Sequence, residues 1–455
     1  MTDRSPSPAM EQTATRSVRD RVERVVLRAS SIGWWALIAI LPIGHITGLR
    51  NGLTIVVVVA TLAVFGRRSW KDLPARWAWC ALITWCALSI AWSSVPDISW
   101  GKLRTDLLLP FLAYWGAYAV GRYAQGLRAI IGGGVTGLFG LTLLSLFVVL
   151  PRGVSDYVRH VVPLEDFAGV AAPLPHWYPG VGDASMAAAL AAAILLAAPH
   201  FLPRVPRARW GLAWLALAVV VVVTNNRNAV LAIPVVALFY FWRMRRIKPE
   251  SGNRRAFNRR RIAAVTLAAC VALIALVALL ELGARERLRV IGQSSGDASS
   301  AALTLVEHDT RPMIWAYYGK LVLRAPLAGV GFGRTVPGIH YHTQDDRELA
   351  KREFNAYIHA HNLFLNWWLQ TGVVGMLLLI ALLVEIVRVV HRAARRSPVT
   401  MVRRAIALAI YAAIALMLIR NLTDDLLVYG MATMFWAIVG GLAGALLAQD
   451  DSATA

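Results

Sequence analysis

Acidic residues are scarce: 26 Asp and Glu stand against 47 Lys and Arg in 455 residues, leaving a net charge of +21. Charged residues of either sign make up only 16% of the chain, where a soluble domain carries about 25%. Water is therefore not the main solvent, which excludes a cytosolic enzyme and a disordered chain. Cysteine is nearly absent. Cys80, Cys86 and Cys270 all lie inside apolar segments, where a thiol packs as a small hydrophobe, so neither a disulfide framework nor zinc spacing can be built. No internal repeat or low-complexity domain is present. The positive excess does not make a nucleic-acid surface, because that needs cations clustered on a soluble face with aromatics interleaved, and here they fall between apolar runs.

What is present is hydrophobic sequence: 57% of residues and a mean hydropathy of +0.55. Windows of about 20 apolar residues read as membrane-crossing helices. They fall near 31–49, 52–66, 77–94, 104–121, 126–150, 183–201, 208–225, 227–242, 262–283, 361–388, 403–420 and 428–448, about twelve spans. The 208–242 stretch reads as a helical hairpin with a polar tip at Thr224-Asn225-Asn226-Arg227-Asn228. With the N-terminus inside, 30 of the 47 Lys and Arg fall in inner segments, and the short outer turns 45–51 and 421–427 hold only Arg50. The excess of positive charge on one side places both termini in the cytoplasm.

The expected organisation is thus a basic segment 1–30, nine spans over 31–283 with an outer loop 151–182, a large outer loop 284–360, three spans over 361–448, and a tail 449–455. Segment 15–28 carries Val18, Val22 and Val25 at helical spacing among arginines. Both a helix on the anionic inner leaflet and a solvated basic tail fit that pattern. No cleavage site follows the first apolar run.

Candidate chemistry gathers on the outer face. Arg227 sits at the hairpin tip, either as an anion ligand or as a snorkelling charge. Arg311 opens a helix marked by Pro312 and by an apolar stripe of Ile314, Trp315, Tyr318, Leu321 and Val322, so its guanidinium adds bidentate donors to an end that already favours anions. Lys320 and Arg324 follow on the same helix. The run Gly329-Val330-Gly331-Phe332-Gly333 superficially resembles a nucleotide loop, but no strand precedes it, and a tight turn beside the membrane is the better reading. His359-Ala360-His361-Asn362 stands where the loop re-enters the membrane. A histidine there is a candidate general base near neutral pH. On a helix, residues two apart do not share a face, so only one of the pair should address a given site. His340 and His342 make a second His-x-His pair, yet neither pair has helical zinc spacing. Asp424 and Asp425, after Arg420-Asn421, either orient the histidine or the acceptor, or pair with Arg420. Loop 95–103 has Asp97 alone and no Asp-x-Asp cation site. Loop 151–182, with Arg152, Arg159, His160, Trp177 and Tyr178, reads either as a cover over sugars or as interfacial anchoring.

Taken in order, Thr224-Asn225-Asn226-Arg227, then Arg311-x-x-x-Trp315 with Pro326-Leu327-Ala328-Gly329-Val330-Gly331, then His359-Ala360-His361-Asn362-Leu363 leading into Gln370-Thr371-Gly372-Val373-Val374-Gly375, resemble the O-antigen ligase and polymerase superfamily. The likeness covers about 208–390, and the His-x-His-Asn form and loop size resemble the ligase branch. It implies an all-α polytopic membrane protein similar to type C glycosyltransferases, set in the bacterial inner membrane with a periplasmic active site. It implies transfer of a glycan from undecaprenyl diphosphate to a sugar hydroxyl of lipid A–core oligosaccharide, independent of metal and nucleotide cofactor and with no nucleic-acid partner. In that resemblance His361 is the base with His359 in reserve, and Arg227 and Arg311 hold the diphosphate; Asp424, Asp425, Lys320 and Arg324 are further candidates for orienting the acceptor, Lys320 and Arg324 reading equally as ordinary solvated charges. An O-antigen polymerase, a protein O-oligosaccharyltransferase and, in another class, a transporter of lipid-linked glycans are the alternatives. The transporter predicts mid-membrane charges and inverted repeats.

Overall fold

The computed structural model describes residues 8–44, 46–149, 179–202, 204–224, 226–245, 311–343, 359–396 and 400–451. Among these residues the chain is entirely helix and turn. In chain order the helices are α1 (Pro8–Ile40), α2 (Thr47–Trp70), α3 (Arg76–Leu88), α4 (Pro96–Lys102), α5 (Leu109–Gly121), α6 (Ala124–Val149) and α7 (Val181–Phe201). They continue with α8 (Arg207–Thr224), α9 (Arg227–Arg245), α10 (Arg311–Val322), the single turn α11 (Val336–His340), α12 (Leu363–Arg395), α13 (Met401–Asn421) and α14 (Tyr429–Asp451).

Among the described residues six segments are long and apolar enough to cross a membrane, one each in α2, α6, α7, α12, α13 and α14. The hairpin at 208–242 is two shorter apolar helices, α8 and α9. The expected span 262–283, loop 151–178 and most of loop 284–360 lie outside the described residues.

Three expected boundaries are corrected. The basic segment and the first apolar run form one helix, α1, which stops at Ile40 because Pro42 lacks the N–H needed to continue it. Glu23 on that helix pairs with Arg68 at 3.2 Å. The third apolar run is only a 13-residue helix continued by a 3-10 turn at Ser89–Trp92. The fourth begins at Pro96 rather than 104, with proline in the first turn and Asp97 beside the helix's positive end, and passes through a π-helical stretch, Leu103–Leu108, into α5.

The core is built around α14, which packs along α5. Gly440 and Gly444 make the close approach feasible: a Cβ there would sit 2.3 Å from the Tyr114 carbonyl oxygen and 2.2 Å from that of Tyr118. Lipid is as apolar as leucine, so helices in a bilayer gain from such backbone proximity rather than from the hydrophobic effect. Trp436 of α14 meets Trp79 edge to face, with ring centroids 4.6 Å apart. α1 packs on α6, α13 on α7, and α9 on α13.

The feature that positions the functional end is a break in α12. Gly372 has φ 67° and ψ −178°, a region open essentially to glycine alone. The break releases carbonyls of the preceding turn, which must find other donors. Val330 N–H donates to Leu369 O at 3.0 Å, Gly331 N–H to Gln370 O at 2.9 Å, and Trp85 Nε1 to Thr371 O at 2.8 Å. Val373 N–H returns a bond to Pro326 O at 2.9 Å. The glycine run is therefore a turn seated in the break, as its lack of a preceding strand implied. It is also tied to the first half of the chain, where Ser89 Oγ accepts from Phe332 N–H at 3.0 Å.

A Cβ on residue 372 would lie 1.9 Å from Leu327 O, whereas one on Gly140 would meet nothing within 4 Å. Gly372→Ala is expected to lower the melting temperature of the detergent-solubilised protein strongly, since backbone strain of about 1–3 kcal/mol adds to the clash, while Gly140→Ala leaves it within a degree or two.

Candidate functional site

The ends of several helices converge on the short turn 422–428 between α13 and α14. Asn362 caps α12, its Oδ1 accepting from Leu365 N–H at 3.0 Å, the expected role of asparagine at a helix start. Its Nδ2 donates to Leu422 O at 2.8 Å. Asn226 caps α9 by accepting from Ala229 N–H at 3.1 Å, and the Asn228 amide donates to the Thr423 hydroxyl. Arg420, at the end of α13, donates through Nε to Ser185 Oγ at the start of α7, 2.8 Å away. The turn is thus fastened to α7, α9 and α12 at once.

Asp424 is the centre of this assembly. Arg420 Nη2 donates to its Oδ2 at 3.2 Å. Its Oδ1 accepts from Asp425 N–H at 2.9 Å and lies 3.6 Å from Arg334 Nη2, 3.7 Å from His359 Nε2 and 3.8 Å from His361 Nδ1. The expectation that only one histidine would face the site is corrected. Residues 359–362 precede α12, and His361 has φ 46°. That left-handed residue brings the two rings to 4.0 Å between centroids, which a helix would not allow.

The two imidazoles nevertheless have different surroundings. Arg334 donates to His359 Nε2, which places the ring proton on Nδ1 and occupies the lone pair. Burial, reinforced by the nearby Arg334 charge, pushes the His359 pKa down to about 3 against the partial support of Asp424, so the ring is neutral at physiological pH. His361 instead turns Nδ1 toward Asp424 and leaves Nε2 buried without a partner. A carboxylate facing Nδ1 favours the tautomer with its proton there, leaving a lone pair on Nε2. For Asp424, burial alone would raise the pKa, but the two facing histidines and the Arg420 charge hold it well below the usual carboxylate range. Burial raises Asp425 to about 6, against the pull of Arg334 and of the Asn366 amide, whose Nδ2 donates to Asp425 Oδ2 at 2.5 Å.

Arg311 begins α10. One turn later Trp315 Nε1 donates to His361 O at 3.3 Å, so the Arg-x-x-x-Trp spacing places both residues on the face of α10 that meets the histidine segment. Arg311 lies near enough to Arg420 for their charges to interact. Arg227 occupies the first position of α9, beside the Asn228–Thr423 contact. Lys320 is exposed. Arg324 stacks over Tyr341 at 5.9 Å, on the far end of α10 from Arg311. The structure therefore does not bring Lys320 and Arg324 to the cluster. It does bring in Arg334 and Arg420, together with Asn366 and, through its charge, Asp183. Arg334 directly follows the glycine run, and only the docking of that run into the α12 break shows where it points.

His359, His361 and Asp424 could supply ligand atoms to a metal, since these lie within 4.8 Å of one another. The donor set fits a cation poorly: a guanidinium already donates into His359 Nε2, and a second one occupies Asp424. Added positive charge would meet two fixed cations in a buried site. Among the described residues, buried polar atoms without a partner gather here, including Arg334 Nε, Arg420 Nη1 and His361 Nε2. Unused guanidinium N–H groups beside an unused imidazole lone pair suit an anion next to a hydroxyl.

Residues 212–380 match the family model described as O-antigen ligase. The match spans α9, Arg311, Arg334, both histidines and the α12 break, and it bears out the resemblance to the O-antigen ligase and polymerase superfamily. No curated protein matches the sequence.

The site's acid response has two opposed parts. His359 is depressed to about 3 from an unfolded value of about 6.5, so the unfolded chain binds more protons and stability falls as pH drops between those values. Asp425 is raised to about 6 from an unfolded value of about 3.9, so stability gains as pH drops between those values. Asp425→Asn is expected to steepen the loss of melting temperature between pH 6 and pH 4, and His359→Gln to abolish or reverse it. Parallel curves for the two variants would contradict this assignment.

Proposed function

We propose that the protein is an O-antigen ligase, moving a glycan from undecaprenyl diphosphate to a sugar hydroxyl of lipid A–core oligosaccharide on the periplasmic side of the bacterial inner membrane. The observation that carries this reading is the unpartnered His361 Nε2 beside Asp424, set among Arg334, Arg420 and Arg311.

In the proposed reaction the acceptor oxygen attacks the anomeric carbon as the carbon–oxygen bond to the diphosphate breaks, and the leaving diphosphate departs with the electron pair. His361 Nε2 takes the hydroxyl proton, and Asp424 stabilises the imidazolium that forms. Positioned base catalysis of this kind contributes roughly a hundred- to ten-thousand-fold. Charge growing on the diphosphate is met by arginine N–H groups already oriented toward it, which act without reorganising during the reaction. Arg311 and Arg334 fill this role, with Arg227 contributing from the first turn of α9. One direct displacement inverts the anomeric centre. His359, whose lone pair is occupied, positions Arg334 instead of accepting the proton.

His361→Ala is expected to lower transfer by about a hundredfold or more while donor binding persists; full activity in that variant would move the base to His359. Arg311→Lys should rescue poorly, because one ammonium cannot reproduce the guanidinium fork. EDTA should leave the rate unchanged, and a loss restored by a divalent cation would revive the metal reading of the histidine pair. A matched assay separates ligase from polymerase: the same labelled polyprenyl diphosphate glycan is offered either core lipid or a second glycan unit, with product expected on core lipid alone.

A further inference from the structure

A second concave site lies on the opposite flank of the 422–428 turn. It is a cavity of about 360 Å³ walled by the starts of α2 and α14 and by α4, with Thr47, Arg50, Asn51, Lys102, Thr105 and Tyr429 among its lining. That volume falls at the small end of ligand clefts. Two of the lining side chains are cations and none is a carboxylate. Asp106 and Asp183 act on Lys102 and Arg50 from behind the wall, so neither acid lines the cavity.

The cations are built in. Arg50 Nη2 donates to Thr47 Oγ1 at 3.2 Å and Nη1 to Leu41 O at 3.3 Å, while Nε is buried with no partner. A Cβ at Gly430 would come within 2.6 Å of Arg50 Nη1, so only glycine leaves the guanidinium its place. Lys102 donates to the Tyr429 hydroxyl, and its ammonium lies 4.1 Å from the centre of that ring. Tyr429 adopts φ 47°, a left-handed conformation unusual for a bulky residue, with its ring beneath the Lys102 ammonium. The starts of α2 and α14 face the same space, and first-turn N–H groups favour negative charge.

The wall of the cavity is tied to segments that carry the cluster. Tyr429 stands five residues beyond Asp424, its N–H bonded to Asp106 Oδ1 at 3.2 Å. A Cβ on Gly333, the neighbour of Arg334, would lie 3.2 Å from Lys102 Cγ. Arg311 approaches the cluster from α10, close enough to Arg420 for their charges to interact. A base at His361, beside Asp424, needs the donor and the acceptor in different places around it.

We propose that this cavity is the acceptor's anion subsite, taking a phosphate carried by the acceptor sugar. The assignment rests on the glycosyl-transfer reading, since it is that reaction which requires an acceptor beside His361. Arg50 and Lys102 supply the charge-assisted bonds, and Thr47, Asn51 and Thr105 the neutral ones.

The test uses the full-length protein in nanodiscs, with a core glycolipid acceptor in its phosphorylated form and after phosphatase treatment, and with the polyprenyl diphosphate glycan as donor. Wild type is expected to bind the phosphorylated acceptor about tenfold more tightly than the dephosphorylated one, the scale of one charge-assisted contact. The double variant R50Q/K102Q should lose that preference, bind both forms alike, and keep the wild-type affinity for donor. Equal binding of the two forms by wild type, or a preference surviving in the double variant, overturns the proposal. A fall in donor affinity of the same size also overturns it, by assigning the subsite to the donor. Failure of the glycosyl-transfer reading is separately visible as absence of any transferred product with wild type, whatever the binding preference.

Discussion

The functional end of the protein depends on one buried carboxylate being surrounded by more positive and donor groups than it can satisfy. Asp424 accepts from Arg420 and from the backbone of Asp425 and faces Arg334, His359 and His361. An ionised group out of water is tolerated only with such partners, and removing one leaves the others exposed to the full desolvation penalty. The arrangement therefore locks side chains from α12, α13 and the glycine turn into one geometry. It also leaves spare guanidinium N–H groups and one imidazole lone pair directed at the same space.

That geometry is transmitted through backbone, not only through charge. The break at Gly372 would leave carbonyls unsatisfied beside a membrane, and the 326–333 segment satisfies them. The same segment is held by Ser89 and Trp92 of the first half of the chain, and Trp85 from that half bonds the break itself at Thr371 O. Arg334 is thus aimed by a turn whose contacts are distributed over residues almost three hundred positions apart. The first half of the chain, which carries no recognisable motif, is in this sense part of the site's scaffold.

The electrostatics favour anion handling on both flanks of the 422–428 turn. On one flank Arg334, Arg420 and Arg311 surround the histidines; on the other Arg50 and Lys102 line a cavity without an acid in its wall. Positive groups fixed before a ligand arrives stabilise developing negative charge better than groups that must move. Two such regions joined through Tyr429 and Gly333 offer anions two distinct places to dock.

Much was legible in the order of the residues. The helical architecture of the described residues, the centres of the six long apolar helices, the opening of a helix at Arg311 and the turn character of the glycine run all follow from apolar periodicity and cap chemistry, which are local properties. Helix boundaries at Ile40 and Pro96 were misjudged because apolar windows register composition and not the backbone bond that proline removes. The roles of Arg334 and Arg420, the convergence of both histidines and the separation of Lys320 and Arg324 from the cluster were not legible. They depend on a left-handed residue at 361, a glycine-only break at 372 and contacts between segments far apart in the chain. The sequence by itself determined which residues carry the charge and which stretches are apolar enough to form the long helices; the tertiary structure alone decided which charged residues meet, because orientation comes from long-range packing and no local pattern encodes it.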